Sequence, residues 1–205
     1  MKLLFVPVLL LAVGVAVAQD MPLHEIINPG ESWQSHAGEM PAGPADGYSV
    51  DLKTHTLLLD GAVLKHGLKE PTCCAVALGG STLLVADATD RHVWALRIEK
   101  DGTLGPGDRY CRLRVRGDER RKKDMPPEAF RADPSAMTVD GAGRSYVATN
   151  LGIQVFDPTG RLCGVFTGPS GRVTELTFDG DRLYARADGK AYVRQMLAEG
   201  PASKK

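Results

Sequence analysis

Residues 136–149 read AMTVDGAGRSYVAT, and this stretch decides the fold. An apolar, β-branched run meets Asp140-Gly141, turns through small and polar residues, and returns as a second apolar run. That is the signature of an antiparallel hairpin. The pattern recurs as ELTFDGDRLYARA at 175–187 and as CAVALGGSTLLVAD at 74–87, with a weaker copy, YSVDLKTHTLLLD, at 48–60. The better copies run on into further short strands: RHVWALRI after Asp87, LGIQVFD and LCGVFT after Thr149, and GKAYVRQML after Ala187. Val139 and Phe178 hold matching places in consecutive copies, 39 residues apart. Units of about 40 residues with about four short strands mark β-propeller blades. A four-stranded blade has two apolar faces and must stack on neighbours to bury both. A β-sandwich of short strands is the competing arrangement. The regular return of the Asp-Gly turn favours the propeller. The expected fold is therefore all-β and propeller-like, with about four recognisable four-stranded units. A six-bladed ring would need on the order of 240 residues, so the arrangement is reduced.

Composition agrees. The chain has 205 residues, 43% hydrophobic and 24% charged, which excludes wholesale disorder. Twenty-three Gly and 13 Pro favour turns over long helices. Lys+Arg and Asp+Glu are both 25, so no global field draws the chain to nucleic acid or an anionic membrane.

Residues 1–18 have the three parts of a secretory signal: Lys2, an apolar run, and Ala16-Val17-Ala18. The apolar run is shorter than the roughly 20 residues that span a bilayer. Export to the periplasm or the extracellular space, with cleavage after Ala18, is the expectation. Beyond the leader, 19–47 reads as a degenerate N-terminal segment. Residues 48–197 form the propeller-like domain, and 198–205 a flexible tail. A charged loop at 112–133 interrupts the repeats. It carries a basic run at 120–123, offset by Asp118, Glu119 and Asp124 and without interleaved aromatics, so it reads as a solvated loop. Export permits disulfides, but Cys73, Cys74, Cys111 and Cys163 show no zinc spacing, and the pairing of these four is left open. As adjacent strand residues, Cys73 and Cys74 would face opposite sides. The five histidines accompany no nucleophile motif, and no GxSxG occurs.

Residues from Leu68 to about Leu197 resemble the gluconolactonase and senescence-marker-protein family. PTCCAVALGGSTLLVAD looks like that family's PNGLALSPDGKTLYVAD, and AMTVDGAGRSYVATNLGIQVFDPTGRLCGVF looks like its GMTVDADGRLYVAT-GIQVFDPEGR. HVWALRIEKDGTL and the hairpin ELTFDGDRLYARADGKAYVRQ follow in the same order, and IINPGESWQSHAGEMPAGPADG looks like a worn opening segment. The resemblance implies a propeller that hydrolyses sugar lactones with one divalent metal, such as calcium, zinc or manganese, at its axis. Carried over one at a time, the family's Glu of EGP falls at Ala42, its Asn of PNG at Thr72, and its Asp of DGMTVD at Ser135. A methyl group and two hydroxyls replace donors that a hard cation requires. Asp133 reaches the last position only through a two-residue insertion, and is otherwise a turn residue before Pro134.

The expected protein is thus an exported, gluconolactonase-like propeller. Its metal is not retained, and its hydrolysis of a small lactone or sugar-derived substrate is weak or lost. The alternative is a non-catalytic binding or scaffold module that uses the propeller face or open blade edges. Such edges would favour self-association.

Overall fold

The computed structural model describes residues 22–43, 46–118, 126 and 130–202. The leader at 1–18 and the basic run at 120–123 lie outside the described residues.

Fifteen strands, and no α-helix, are present among the described residues. A short strand, β1 (Gln34–His36), comes first. The first repeat forms β2 (Tyr48–Asp51), β3 (Thr56–Leu59) and β4 (Ala62–Val63). The second forms β5 (Pro71–Val76), β6 (Thr82–Asp87), β7 (His92–Ile98) and β8 (Leu104–Arg112). The third forms β9 (Ala136–Val139), β10 (Ser145–Thr149), β11 (Gly152–Phe156) and β12 (Leu162–Phe166). The fourth forms β13 (Val173–Asp179), β14 (Arg182–Ala187) and β15 (Lys190–Gln195). Each repeat is one antiparallel meander, and the four sheets stand in a propeller arrangement. The leading strands β2, β5, β9 and β13 lie successively beside one another nearest the axis.

The first sheet has three strands where the sequence repeat implies four. The reason is chain length. Only residues 64–70 separate β4 from β5, and they must run from the outer edge back to the axis. No residues remain for a fourth strand. The last sheet gains its fourth strand from the other end of the chain. β1 pairs antiparallel with β15, Gln34 opposite Val193 and His36 opposite Ala191. Ile26, fully buried, fastens the same closure: its carbonyl accepts the N–H groups of Leu197 and Ala198 at 3.1 Å. So part of the 19–47 segment is built into the last sheet. The start of the 198–205 tail is docked too, since Ala198 is buried and Gly200 N donates to Gly180 O at 2.7 Å.

Three buried clusters cement the stack. Leu57 meets Leu83, Val85 and Leu96 between the first and second sheets. Cys73, Leu84, Ala86 and Val93 meet Met137, Val139 and Val147 between the second and third. Tyr146, Ile153, Val155 and Phe166 meet Leu176, Leu183 and Ala185 between the third and fourth. Burial of each large aliphatic side chain contributes roughly 1.5–3 kcal/mol. The junction of the fourth and first sheets has no such cluster among the described residues, and the link 37–43 from β1 toward β2 crosses beside it. Parts of the charged loop are also core: Leu113, Val115 and Ala132 are buried. The buried amide of Gln154 ties that loop to the third sheet, accepting from Arg114 N at 2.8 Å and donating to Arg114 O at 2.9 Å.

The recurring Asp residues at the hairpin turns differ in weight. Asp140 is fully buried. It accepts Arg144 Nε at 2.5 Å, Tyr146 Oη at 2.8 Å, and the Ala142 and Arg144 backbone N–H groups at 3.0 and 2.9 Å. Asp51 accepts the Lys53 backbone N–H at 2.8 Å and also bonds Thr54 in its surface turn, and Asp179 is exposed. Losing one partner of a buried ion pair costs about 3–5 kcal/mol, and an exposed turn substitution about 0.5 or less. Urea melts should therefore show Asp140→Ala destabilised by roughly 3 kcal/mol or more, with Asp179→Ala close to wild type. Equal losses would contradict the assignment.

Candidate functional site

The leading strands surround a cavity of about 330 Å³ on the propeller axis. Ser49 and Val50 of β2, Thr72, Cys73 and Cys74 of β5, Ala136 and Met137 of β9, and Thr174 to Thr177 line it, with Met40, Pro41 and Gly43 of the crossing link. Successive repeats deliver the same strand position to the axis, so short motifs far apart in sequence meet here.

Two sequence-derived positions reach this cavity. Thr72 lines it, but its hydroxyl donates back to Ala86 O at 3.3 Å. Ser135 lines it just before β9, its backbone N–H bound to Ala148 O at 3.0 Å. Ala42 is exposed on the crossing link between Pro41 and Gly43, which line the cavity while Ala42 does not. Asp133 is absent from the axial lining. It stands in a neighbouring cavity of about 450 Å³ between the third and fourth sheets, where its carboxylate pairs with Arg172. Its left-handed φ of 52° belongs to a turn residue. Ser135 lines both cavities.

Sequence reasoning missed Glu175, the carboxylate in the axial lining. It accepts Arg186 Nε from the adjacent strand at 3.0 Å. Laying ELTFDG on AMTVDG places Glu175 where Ala136 stands, and that substitution was the available signal.

The donor set can be tested against a hard divalent cation, which takes six to eight oxygen ligands, mostly carboxylate and carbonyl. The axial side chains offer one carboxylate already paired with arginine, several hydroxyls, and thiols. No group of three His, Cys, Asp or Glu side chains capable of holding a metal occurs among the described residues. These residues do not fit calcium, and they do not form a zinc or manganese centre.

No protein-family model and no curated protein matches the sequence. Solved structures do. A gluconolactonase from Xanthomonas campestris matches at a TM-score of 0.50 and 20% identity, over 83% of this chain and 55% of its own. A calcium-binding protein, regucalcin, from Agrobacterium tumefaciens matches at 0.55 and 14%, over 87% of this chain and 66% of its own. A luciferin-regenerating enzyme matches at 0.50 and 16%, over 83% of this chain and 60% of its own. The fold is that of the gluconolactonase and regucalcin propellers. This chain spans between 55% and 66% of the lengths of those three proteins.

Within this gluconolactonase-like fold the axial thiols are neutral. Burial pushes Cys73 up to about 12, reinforced by the neighbouring Cys74 and opposed by Thr72 and Arg172. Burial, with the Asp46 carboxylate, pushes Cys74 up to about 12. Cys111, in the second-to-third-sheet core, is raised by burial to about 12. All four cysteines are free. A thiol that is not ionised is a poor nucleophile, so the vicinal pair is not a ready catalytic group. The unfolded chain ionises near 9 and the folded chain near 12. The thiol contribution to stability is thus full below about pH 9 and lost as pH rises toward about 12. At about pH 8 iodoacetamide should label Cys73, Cys74 and Cys111 only after unfolding in urea. Native-state labelling, read by peptide mass spectrometry, would contradict this.

Proposed function

We propose that this chain is an exported, gluconolactonase-like propeller in which lactone hydrolysis is weak or lost, and that it works as a non-catalytic binding module through its axial face. The observation that carries this reading is the donor set of the axial cavity. Metal-assisted lactone opening needs a cation that polarises the carbonyl and stabilises the oxyanion. The positions that would supply its oxygens hold Ala42, Thr72 and Ser135. Thr72 spends its hydroxyl proton on its own sheet, and Glu175 is neutralised by Arg186. The cavity itself persists, with Tyr48 Oη bound to Gly102 O at 2.9 Å fixing the first sheet against the second beside it.

The face is favoured over the blade edges because residues of all four leading strands converge on its cavity, whereas each outer strand, β1, β4, β8 and β12, presents only the edge of a single sheet.

Isothermal titration with calcium, zinc and manganese, run beside a glucono-lactone hydrolysis assay, tests the proposal. The expected result is no affinity tighter than about 100 μM, which is near −5.5 kcal/mol, and no turnover above the spontaneous rate. Micromolar metal affinity accompanied by turnover would overturn it.

A further inference from the structure

Sulfur is concentrated at the axis. The chain has six methionines and four cysteines in 205 residues. Four of these ten, Met40, Cys73, Cys74 and Met137, are among the seventeen residues that line the axial cavity. They come from three walls: the crossing link, β5 and β9. Cys73 and Met137 also pack in one buried cluster, on neighbouring leading strands. Cys74 turns to the opposite side, toward the first sheet. Thr72 Oγ1 stands 4.0 Å from Cys73 Sγ. Thiolate and thioether sulfurs select soft cations, Cu(I) foremost, whereas oxygens select calcium, magnesium and manganese. The residues that make the axis unfit for a hard cation stand beside ones that suit a soft one.

We propose that the axial cavity binds Cu(I) through sulfur, with Cys73 and Met137 as the first two ligands and Met40 as the third. This rests on the axial-face reading of function and names its ligand. Binding is ligand exchange without a redox step. The Cys73 S–H bond breaks, its proton leaves to solvent, and a Cu–S bond forms, while the methionine sulfurs each donate a lone pair. One proton is released per Cu(I) bound. The neutral cavity then carries no net added charge, since one cation enters as one proton leaves.

The test is an anaerobic competition of the purified full chain against a chromogenic Cu(I) chelator, with X-ray absorption at the copper edge. The expected result is one Cu(I) per chain, sulfur as the bonded neighbour, and at least about tenfold weaker binding in Cys73→Ser and in Met137→Leu. Met40→Leu, a near-isosteric change on the crossing link, should also weaken binding and guards against a folding defect in the buried variants. Cys163→Ser, on β12 outside the cavity, should bind as wild type. No binding, nitrogen or oxygen neighbours alone, or affinity that Cys163→Ser abolishes while Cys73→Ser retains it, would overturn the proposal. Lactone turnover with a hard metal would instead overturn the non-catalytic reading, so the two failures are distinct.

Discussion

A propeller sheet is apolar on both faces, so each sheet of this chain depends on its neighbours. Leu57, Leu83 and Leu96 on one side of the second sheet, and Cys73, Ala86 and Met137 on the other, leave that sheet no face of its own to expose. The stack also needs its ends secured. Here β1 supplies the outer strand of the last sheet, and Ile26 locks to the chain just past β15. Residues 26–36 and the stretch just past β15 are therefore fixed to one sheet, and a contact between residues about 160 apart joins segments otherwise made of local hairpins. The Trp33 indole N–H, donating to Thr167 O at 2.9 Å, adds a second long-range tie from the same segment to the third repeat's end.

The hairpins were legible because alternation and turn chemistry are local. Asp140-Gly141 and the PTGR turn announce themselves, and Gly160 in the latter has a φ of 83° with the Tyr110 carbonyl where a Cβ would lie. The closing strand was not legible. Gln34, Ser35 and His36 carry no apolar pattern, and only their partner on β15 makes them a strand. The missing fourth strand of the first sheet was hidden for a related reason: a repeat can be recognised while the chain between β4 and β5 is too short to complete it.

At the site, motif order brought Thr72 and Ser135 to the axis, because equivalent positions in equivalent repeats face the same channel. The side-chain chemistry did not follow from order alone. Glu175 opens the ELTFDG motif where the third repeat has Ala136, so its motif position shows the place but not the charge, and its pairing with Arg186 is a cross-strand fact. The role of Asp133 turns on where a two-residue insertion is absorbed; the turn takes it up, and the carboxylate goes to Arg172 in the adjacent cavity. The axis carries the Thr72 and Thr174 hydroxyls, each bonded to a backbone carbonyl, together with neutral thiols and thioethers, where a hard cation would need carboxylates.

The most direct measurement is a crystal structure of the protein grown in millimolar calcium, with an anomalous difference map at the axis. The account predicts no calcium peak among Thr72, Ser135 and Glu175. A peak bonded to three or more protein oxygens at about 2.3–2.6 Å would contradict it.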